Sequence, residues 1–421
     1  MFEVDTQSLL RVLHSIGGKA KKTEGAARDV VLFRAEGGLL HISYFTNSHG
    51  FKTQLPVEGE ALAEFAFDPI AAISYFSLKE KGSSIVKVTG DEVEICQVDG
   101  DSAGAFRLVV RSLPFSTFET TASLESVYSD SFSSTATINE SYFKKILALA
   151  LFFPAREKYA STTTCPNLEV RDGYLNVWAG GGKTFLESPV EARTDRGERC
   201  NSAWISIESA TALIRYLEDS DGTADDILLV QVSERSVIFT NVVGSFYVRP
   251  CWIGTNGNAP APDLRSLVVA ARKDEPAIVR LQKEGFLTVL KAIDGSGKKQ
   301  AAVDKEEGRK KKAIHSKVIA IDISNSNGIS VIHYGEKDSS LRIAAEVPSS
   351  VIQPENKIPY LGLEMEQVCK VLKKVPAKEI VFHVRTLRGP VEISYPGQPE
   401  GEIFIVMGYP SLYYEELLKN A

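Results

Sequence analysis

Val4-Asp5-Thr6-Gln7-Ser8-Leu9-Leu10-Arg11-Val12-Leu13 returns twice along the chain, as Ile138-Asn139-Glu140-Ser141-Tyr142-Phe143-Lys144-Lys145-Ile146-Leu147 and as Leu281-Gln282-Lys283-Glu284-Gly285-Phe286-Leu287-Thr288-Val289-Leu290. The three phrases superpose without a gap: Leu9, Phe143 and Phe286 correspond, then Val12, Ile146 and Val289, then Leu13, Leu147 and Leu290. Their apolar positions recur three and four residues apart, the spacing of one face of an α-helix. Offsets of 134 and 143 residues mean one structural unit built three times, a reading that comes before any other.

Length supports it. A chain of 421 residues exceeds what one core organises, since cores stop growing at roughly 100–200 residues. The boundaries expected from composition are 1–122, 134–256 and 276–421. They are separated by a Ser/Thr-rich linker at 117–134 and a Gly-, Asn- and Pro-rich one at 254–276.

Each unit carries a second helical phrase, starting at Phe67-Asp68-Pro69-Ile70, Ile205-Ser206-Ile207-Glu208 and Leu363-Glu364-Met365-Glu366. Asp68 suits an N-cap and Pro69 the first helical position, where its missing N–H costs nothing. Between the helices lie β-branched alternating runs. They are 30–34, 39–44, 85–88, 93–97 and 106–110, then 168–171, 175–178, 227–232, 237–240 and 246–249, then 318–323, 329–333, 341–346, 379–384, 391–394 and 403–407. Bounded by Gly, Asp and Asn, they predict antiparallel strands. The fold class is therefore α+β: three tandem domains, each of two similar halves, with helices on one side of antiparallel sheet.

Hydrophobic residues at 43% and charged residues at 24% place the chain with globular proteins rather than disordered ones. No run of eighteen apolar residues and no basic-then-apolar leader occurs, so a cytoplasmic protein without a membrane partner is expected. The five cysteines are scattered, which predicts buried, reduced thiols.

Charge is unevenly placed. The six helical phrases together hold a net charge of +7, leaving −13 for the rest of a chain whose net charge is −6. Among their cations, the candidates for contact are Arg11, Lys19, Lys21 and Lys22; Lys79 and Lys81; Lys144, Lys145, Arg156 and Lys158; Lys291, Lys298 and Lys299; Lys370, Lys373 and Lys374. If the helices share one side of a sheet, that side attracts a polyanion and the remainder repels it. Aromatics are not interleaved with these lysines, so contact with backbone phosphate, indifferent to base sequence, is expected. Residues 295–317, rich in Lys and Arg, break the repeat and read as a basic loop.

Catalytic motifs fail. Gly180-Gly181-Gly182-Lys183-Thr184 lacks the glycine five residues before Gly182, where Val177 stands, and Gly295-Ser296-Gly297-Lys298-Lys299 lacks a final Ser or Thr. The six histidines fall in no metal-ligand spacing, and no Gly-x-Ser-x-Gly elbow exists. No catalytic residue, metal or cofactor is expected, and the chain reads as a non-enzyme.

Phe106-Arg107-Leu108 through Ser112-Leu113-Pro114 with Phe118, and Tyr395-Pro396-Gly397-Gln398-Pro399 followed by Ile403-Phe404-Ile405-Val406-Met407, resemble phrases of the bacterial sliding clamp, the beta subunit of DNA polymerase III. With the triple repeat, the resemblance spans nearly the whole chain. It implies three DNA-clamp domains in a closed ring, usually a head-to-tail dimer, with helices lining a channel around duplex DNA. The implied function is a processivity factor that tethers the polymerase and meets the clamp loader through short peptide motifs. The alternative is a clamp-like interaction protein that binds peptides without encircling DNA.

Carried over by position, the subunit interface falls on Phe106, Leu108 and Ile293, for which core packing is the competing reading. The partner-peptide pocket falls on Gly181, Lys183, Phe185, Pro250, Met407 and Tyr409. The resemblance also marks residues 411–421 as an extension, expected to form a short helix beside that pocket.

Overall fold

The computed structural model of the chain describes residues 1–16, 30–59, 62–78, 82–98, 106–113, 134–153, 165–181, 184–194, 201–218, 226–233, 235–251, 269, 272–306, 318–334, 342–355, 358–386 and 389–408. They form two compact units. The first comprises residues 1–151, 165–177 and 190–253, and the second residues 152–164, 178–189 and 254–421. The first unit thus holds the expected first domain together with most of the second.

In the first unit the elements run β1 (Phe2–Asp5), α1 (Thr6–Ile16), β2 (Val31–Glu36), β3 (Leu39–Phe45), β4 (His49–Pro56), β5 (Ala63–Phe67), α2 (Pro69–Phe76), β6 (Ser83–Thr89), β7 (Glu92–Val98), β8 (Phe106–Arg111), β9 (Ser134–Asn139), α3 (Glu140–Ala150), β10 (Asn167–Arg171), β11 (Tyr174–Gly180), β12 (Thr184–Thr194), β13 (Asn201–Trp204), α4 (Ile207–Glu218), β14 (Ile227–Val232), β15 (Val237–Thr240) and β16 (Ser245–Val248). The end of β11 and the start of β12 belong to the second unit.

Every strand pairing among the described residues whose register is given below is antiparallel. A four-stranded sheet runs β1-β6-β7-β8. A second runs β5-β2-β3-β4-β16-β15-β14-β9-β12, where β12 contributes Ala192–Thr194. One register row of this sheet reads Phe67, Val31, Tyr44, Phe51, Phe246, Phe239, Val230, Ala136. Every one of these residues is buried. Successive strand residues alternate faces, so a row buried across eight strands defines one continuous apolar face.

The helices cover that face. Phe76 of α2 meets Phe33, Tyr216 of α4 meets Phe51 and Phe246 with ring centres 5.3 and 5.5 Å away, and Phe143 of α3 meets Phe239 at 5.7 Å. Burying each such ring stabilises the unit by about 1.5–3 kcal/mol. As the sequence predicts, Asp68 caps α2: its Oδ1 accepts from the Ile70 N–H at 2.9 Å, with Pro69 at the first turn.

The junction of β4 with β16 crosses the boundary between the first and second expected domains, and polar contacts fix it. The Thr53 hydroxyl donates to the Val243 carbonyl. The Tyr216 hydroxyl donates to the Asn241 side chain and, at 2.7 Å, to the Gly244 carbonyl. Asn241 Nδ2 donates at 2.8 Å to Glu140, a carboxylate buried at the start of α3. The β15–β16 turn is thereby anchored to two helices as well as to β4.

The second unit adds β17 (Ala277–Gln282), α5 (Lys283–Glu306), β18 (Val318–Asp322), β19 (Gly328–Tyr334), β20 (Arg342–Ile352), β21 (Tyr360–Glu364), α6 (Met365–Leu372), β22 (Glu379–Val384), β23 (Pro390–Ser394) and β24 (Ile403–Met407). One sheet runs β21-β18-β19-β20. The other runs β20-β17-β22-β23-β24-β12, with Thr184–Glu187 as the β12 part. Its inner row, Val351, Val279, Phe382, Ile393, Phe404, Leu186, is wholly buried, and Phe286 of α5 packs edge-on to Phe382 at 5.7 Å.

Two expectations need correction. Residues 295–306, expected as the start of a basic loop, continue α5 as helix. Gly295 and Gly297 each cost about 1 kcal/mol there, and the helix-forming run Lys298-Lys299-Gln300-Ala301-Ala302 carries the backbone past them. Residues 307–317 lie outside the described residues. The second correction is an addition: β4, His49-Gly50-Phe51-Lys52-Thr53-Gln54-Leu55-Pro56, has too few β-branched residues to read as a strand.

A Cβ at Gly244 would clash with the Lys52 carbonyl oxygen and lie 2.9 Å from Thr53 Cβ. Gly244→Ala is expected to push β16 off β4 and destabilise the first unit by about 1–3 kcal/mol, read as a lower urea midpoint, whereas Gly90→Ala, with open space around it, tests the cost of a positive φ alone.

Candidate functional site

The two faces of the second unit's six-stranded sheet differ in chemistry. Opposite the helices, one row reads Ile278, His383, Glu392, Ile405, Phe185. Its middle is polar. Glu392 takes Arg272 Nη2 at 2.5 Å and Arg385 Nη1 at 3.1 Å, and His383 Nε2 lies 2.7 Å from the Ser394 hydroxyl. Burial pushes the Glu392 carboxyl up, but the hydrogen bond and charge of Arg272, with the charge of Arg385, outweigh it and hold it below the usual carboxylate range. Burial pulls the His383 imidazole down against the opposing pull of Glu392.

Beyond Glu392 this face turns apolar. Phe185, Ile403 and Ile405 form a buried cluster, with Trp178 and Met407 half-buried against it. Period two explains the grouping, because Ile403, Ile405 and Met407 share a face of β24 and Phe185 stands opposite Ile405. The Trp178 ring lies 6.1 Å from Phe185. Where β11 gives way to β12 the Gly181 N–H donates to the Thr184 carbonyl at 2.9 Å; Gly182 and Lys183 lie outside the described residues.

A buried carboxylate holds the root of β24. Glu402 accepts from the Tyr395 hydroxyl at 2.5 Å and the Ser188 hydroxyl at 3.4 Å. Burial raises its carboxyl above the ordinary value, and those two hydrogen bonds oppose the rise. Ser188 follows the β12 segment that carries Phe185, so this contact helps to hold Phe185 opposite Ile405.

No family model matches the chain, and no curated protein matches it in sequence. Solved structures do. The DNA polymerase III subunit beta of Pseudomonas aeruginosa superposes with a TM-score of 0.75 at 14% identity, over 98% of this chain and 100% of that one. The beta subunit from Thermotoga maritima gives 0.70 at 14% identity over 98% and 100%, and the sliding clamp from Caulobacter crescentus 0.71 at 14% identity over 97% and 99%. This is the sliding-clamp fold. The P. aeruginosa clamp has also been crystallised bound to griselimycin, with a TM-score of 0.74 to this chain over 97% of its length.

Of the expected pocket residues, the sliding-clamp fold brings Phe185 and Met407 into one cluster, with Gly181 in the adjoining turn. Pro250 belongs to the first unit, after β16. Lys183 and Tyr409, like residues 411–421, lie outside the described residues. Trp178, Ile403 and Ile405 were not among the expected residues, although the alternation 403, 405, 407 was there to be read from Met407.

Among the described residues, four of the basic residues expected on the helical phrases are exposed. Arg11 is exposed on α1, Lys145 on α3 and Lys291 on α5, and Lys373 is exposed at the end of α6, each on the face away from the sheet. Lys144, Lys370 and Lys374 are half-buried, and Lys374 Nζ stands 3.1 Å from the centre of the Phe152 ring, a cation–π contact. Lys298 and Lys299 lie on the helical backbone of α5. Lys19, Lys21, Lys22, Lys79, Lys81, Arg156 and Lys158 lie outside the described residues.

Of the three interface candidates, two are on a sheet edge. β8 pairs only with β7 among the described strands; Phe106 on it is 43% exposed, Val109 is 52% exposed and Leu108 is half-buried. Ile293 is a correction: at 1% exposure it is part of the second unit's own core, because it lies on the same helical stripe as Phe286 and Leu290.

Glu392 has a lowered folded pKa, so it stabilises the second unit above its unfolded value, and that contribution is lost as pH falls through the folded one. Glu392→Gln is expected to cost about 2 kcal/mol at pH 7 and to flatten the acid limb of stability against pH, measured by urea unfolding between pH 3 and 7.

Proposed function

We propose that this chain is a DNA sliding clamp: a non-catalytic processivity factor whose ring encircles duplex DNA and tethers a polymerase through a short peptide motif. The observation that carries the reading is the apolar cluster of Phe185, Ile403, Ile405, Trp178 and Met407, set on an otherwise polar sheet face in a chain that follows the clamp fold from end to end. Trp178 and Met407, half-buried over the buried Phe185, Ile403 and Ile405, offer the apolar surface that suits an aromatic or aliphatic anchor of a partner peptide. Polymerase and clamp loader are the partners proposed for it.

The three-domain organisation, 1–122, 134–256 and 276–421, belongs to this reading, with the nine-stranded sheet as the continuous surface joining the first two. The β8 edge, with Phe106, Leu108 and Val109, is proposed to pair with a second copy and close a dimer. Arg11, Lys144, Lys145, Lys291, Lys370, Lys373 and Lys374 are proposed to meet phosphates inside the channel. Phosphate contacts without base contacts suit a ring that must slide, since they hold position without reading sequence.

Topology is the direct test. The protein, assembled on DNA with a loader, is expected to stay on nicked circular DNA and to run off the same DNA after linearisation, at salt high enough to screen open-surface binding. Equal loss from both forms would favour the reading in which the chain binds peptides without encircling DNA. Charge reversal at Arg11, Lys145 and Lys291 together is expected to shorten residence on the circle and to lower the salt dependence of binding by roughly one unit of log slope for each phosphate no longer neutralised. Met407→Ala, at the half-buried rim of the cluster, is expected to weaken a polymerase-derived peptide by about tenfold, or 1.4 kcal/mol, in a calorimetric titration.

A further inference from the structure

Charge is unbalanced beside the apolar cluster of the second unit. Glu392 stands directly across from Ile405, and Pro390, on the same face of β23, stands across from Met407. Arg385 comes one residue after the Val384–Val391 pair, which brings it next to Pro390. Two members of the cluster therefore share rows with this polar group, on strands about 4.8 Å apart.

Two guanidiniums converge there on one carboxylate. Arg272 sets Nε at 3.3 Å and Nη2 at 2.5 Å from the Glu392 oxygens, and Arg385 sets Nη1 at 3.1 Å. One positive charge in this group of three is left over. His383, its neighbour on β22, does not alter the balance at pH 7, because burial holds its imidazole below the ordinary value. The Arg385 Nε is buried and has no hydrogen-bond acceptor among the described residues.

A partly buried cation in excess is costly unless an anion completes it. Arg272 is the group an incoming anion meets, since its side chain is 42% exposed against 12% for Arg385. Its Nε and Nη2 are the atoms on Glu392, so Nη1 is left for a ligand. At the other end of the cluster Ile403 stands across from Glu187, where an acidic ligand group would meet another carboxyl. The two ends of the cluster thus differ in what they accept.

We propose that Arg272, Arg385 and Glu392 form a specificity subsite that receives an acidic side chain of the docking peptide. The acid would lie within about two or three extended residues of the apolar anchor, at about 3.3 Å per residue, on the Met407 side. Arg272 makes the charge-assisted contact, and Arg385 is a positioning residue that holds Glu392 in place. The assignment rests on the cluster being the peptide site. A chain with a net charge of −6 repels acidic peptides as a whole, so a preference for acid has to come from a local group.

The full-length protein is titrated, with fluorescence anisotropy as the readout, against short synthetic peptides. They share one leucine and one phenylalanine as anchors among serine and glutamine, and carry Glu or Gln at each flanking position in turn. On one side of the anchors Glu is expected to bind about five- to tenfold more tightly than Gln, by a margin that shrinks as salt rises. In Arg272→Gln the margin should fall below about twofold while the Gln peptides keep their wild-type affinity, which also shows that the variant is folded. Arg272→Glu should instead favour Lys at that position. Equal affinity for Glu and Gln peptides at every position would overturn the subsite and leave the apolar docking surface standing. A preference for Glu that survives Arg272→Gln would overturn it too, because the carboxylate would then be read elsewhere. Failure of every peptide to bind would remove the docking surface and the subsite together.

Discussion

The pairing of β4 with β16 is the constraint on which the first unit depends. It joins Phe51 to Phe246 and so makes one apolar row from Phe67 to Ala136, where two shorter sheets would otherwise each expose an edge. Exposed edges invite aggregation, and this junction consumes two of them. The backbones approach closely enough that only glycine fits at 244. Glu140, Asn241 and Tyr216 give the turn's buried polar groups partners, which matters because an unpaired buried donor or acceptor costs roughly 1–3 kcal/mol.

The second unit uses β12 and β24 in the same way. Leu186 and Phe404 face the helices, and Phe185 and Ile405 face outward. A one-residue slip would exchange those faces, burying the outer cluster against the helices and turning the inner row out. The Glu402 contacts to Ser188 and Tyr395 resist such a slip from within the same unit. The candidate site and the fold are thus consequences of a single register: the pairing that completes the core also gathers the apolar cluster on the opposite face of the sheet.

The sheet edge at β8 and the helix faces are the remaining surfaces proposed for function. Helices that bury Leu9, Phe143 and Phe286 against sheet necessarily turn the opposite side of each turn to solvent, and this chain places Arg11, Lys145 and Lys291 there. A protein with a net charge of −6 can in this way still carry cations on the solvent side of its helices. The same periodicity that builds the core sorts the charge.

The threefold helical phrase, most of the strands and the capped start of α2 were legible because hydrophobic period and cap chemistry are local properties, read within a few residues. Met407 and Phe185 were legible only through resemblance, since nothing in two separate apolar strands says that they will pair. What the tertiary structure alone decided was nonlocal. It made a strand of His49–Pro56, whose weak pattern is rescued by neighbours on both sides. It placed Ile293 in the core and Phe106 on an edge. It carried α5 through Gly295 and Gly297. Each outcome turns on which segments become neighbours, and a one-dimensional pattern does not contain that information until burial of the apolar faces selects it.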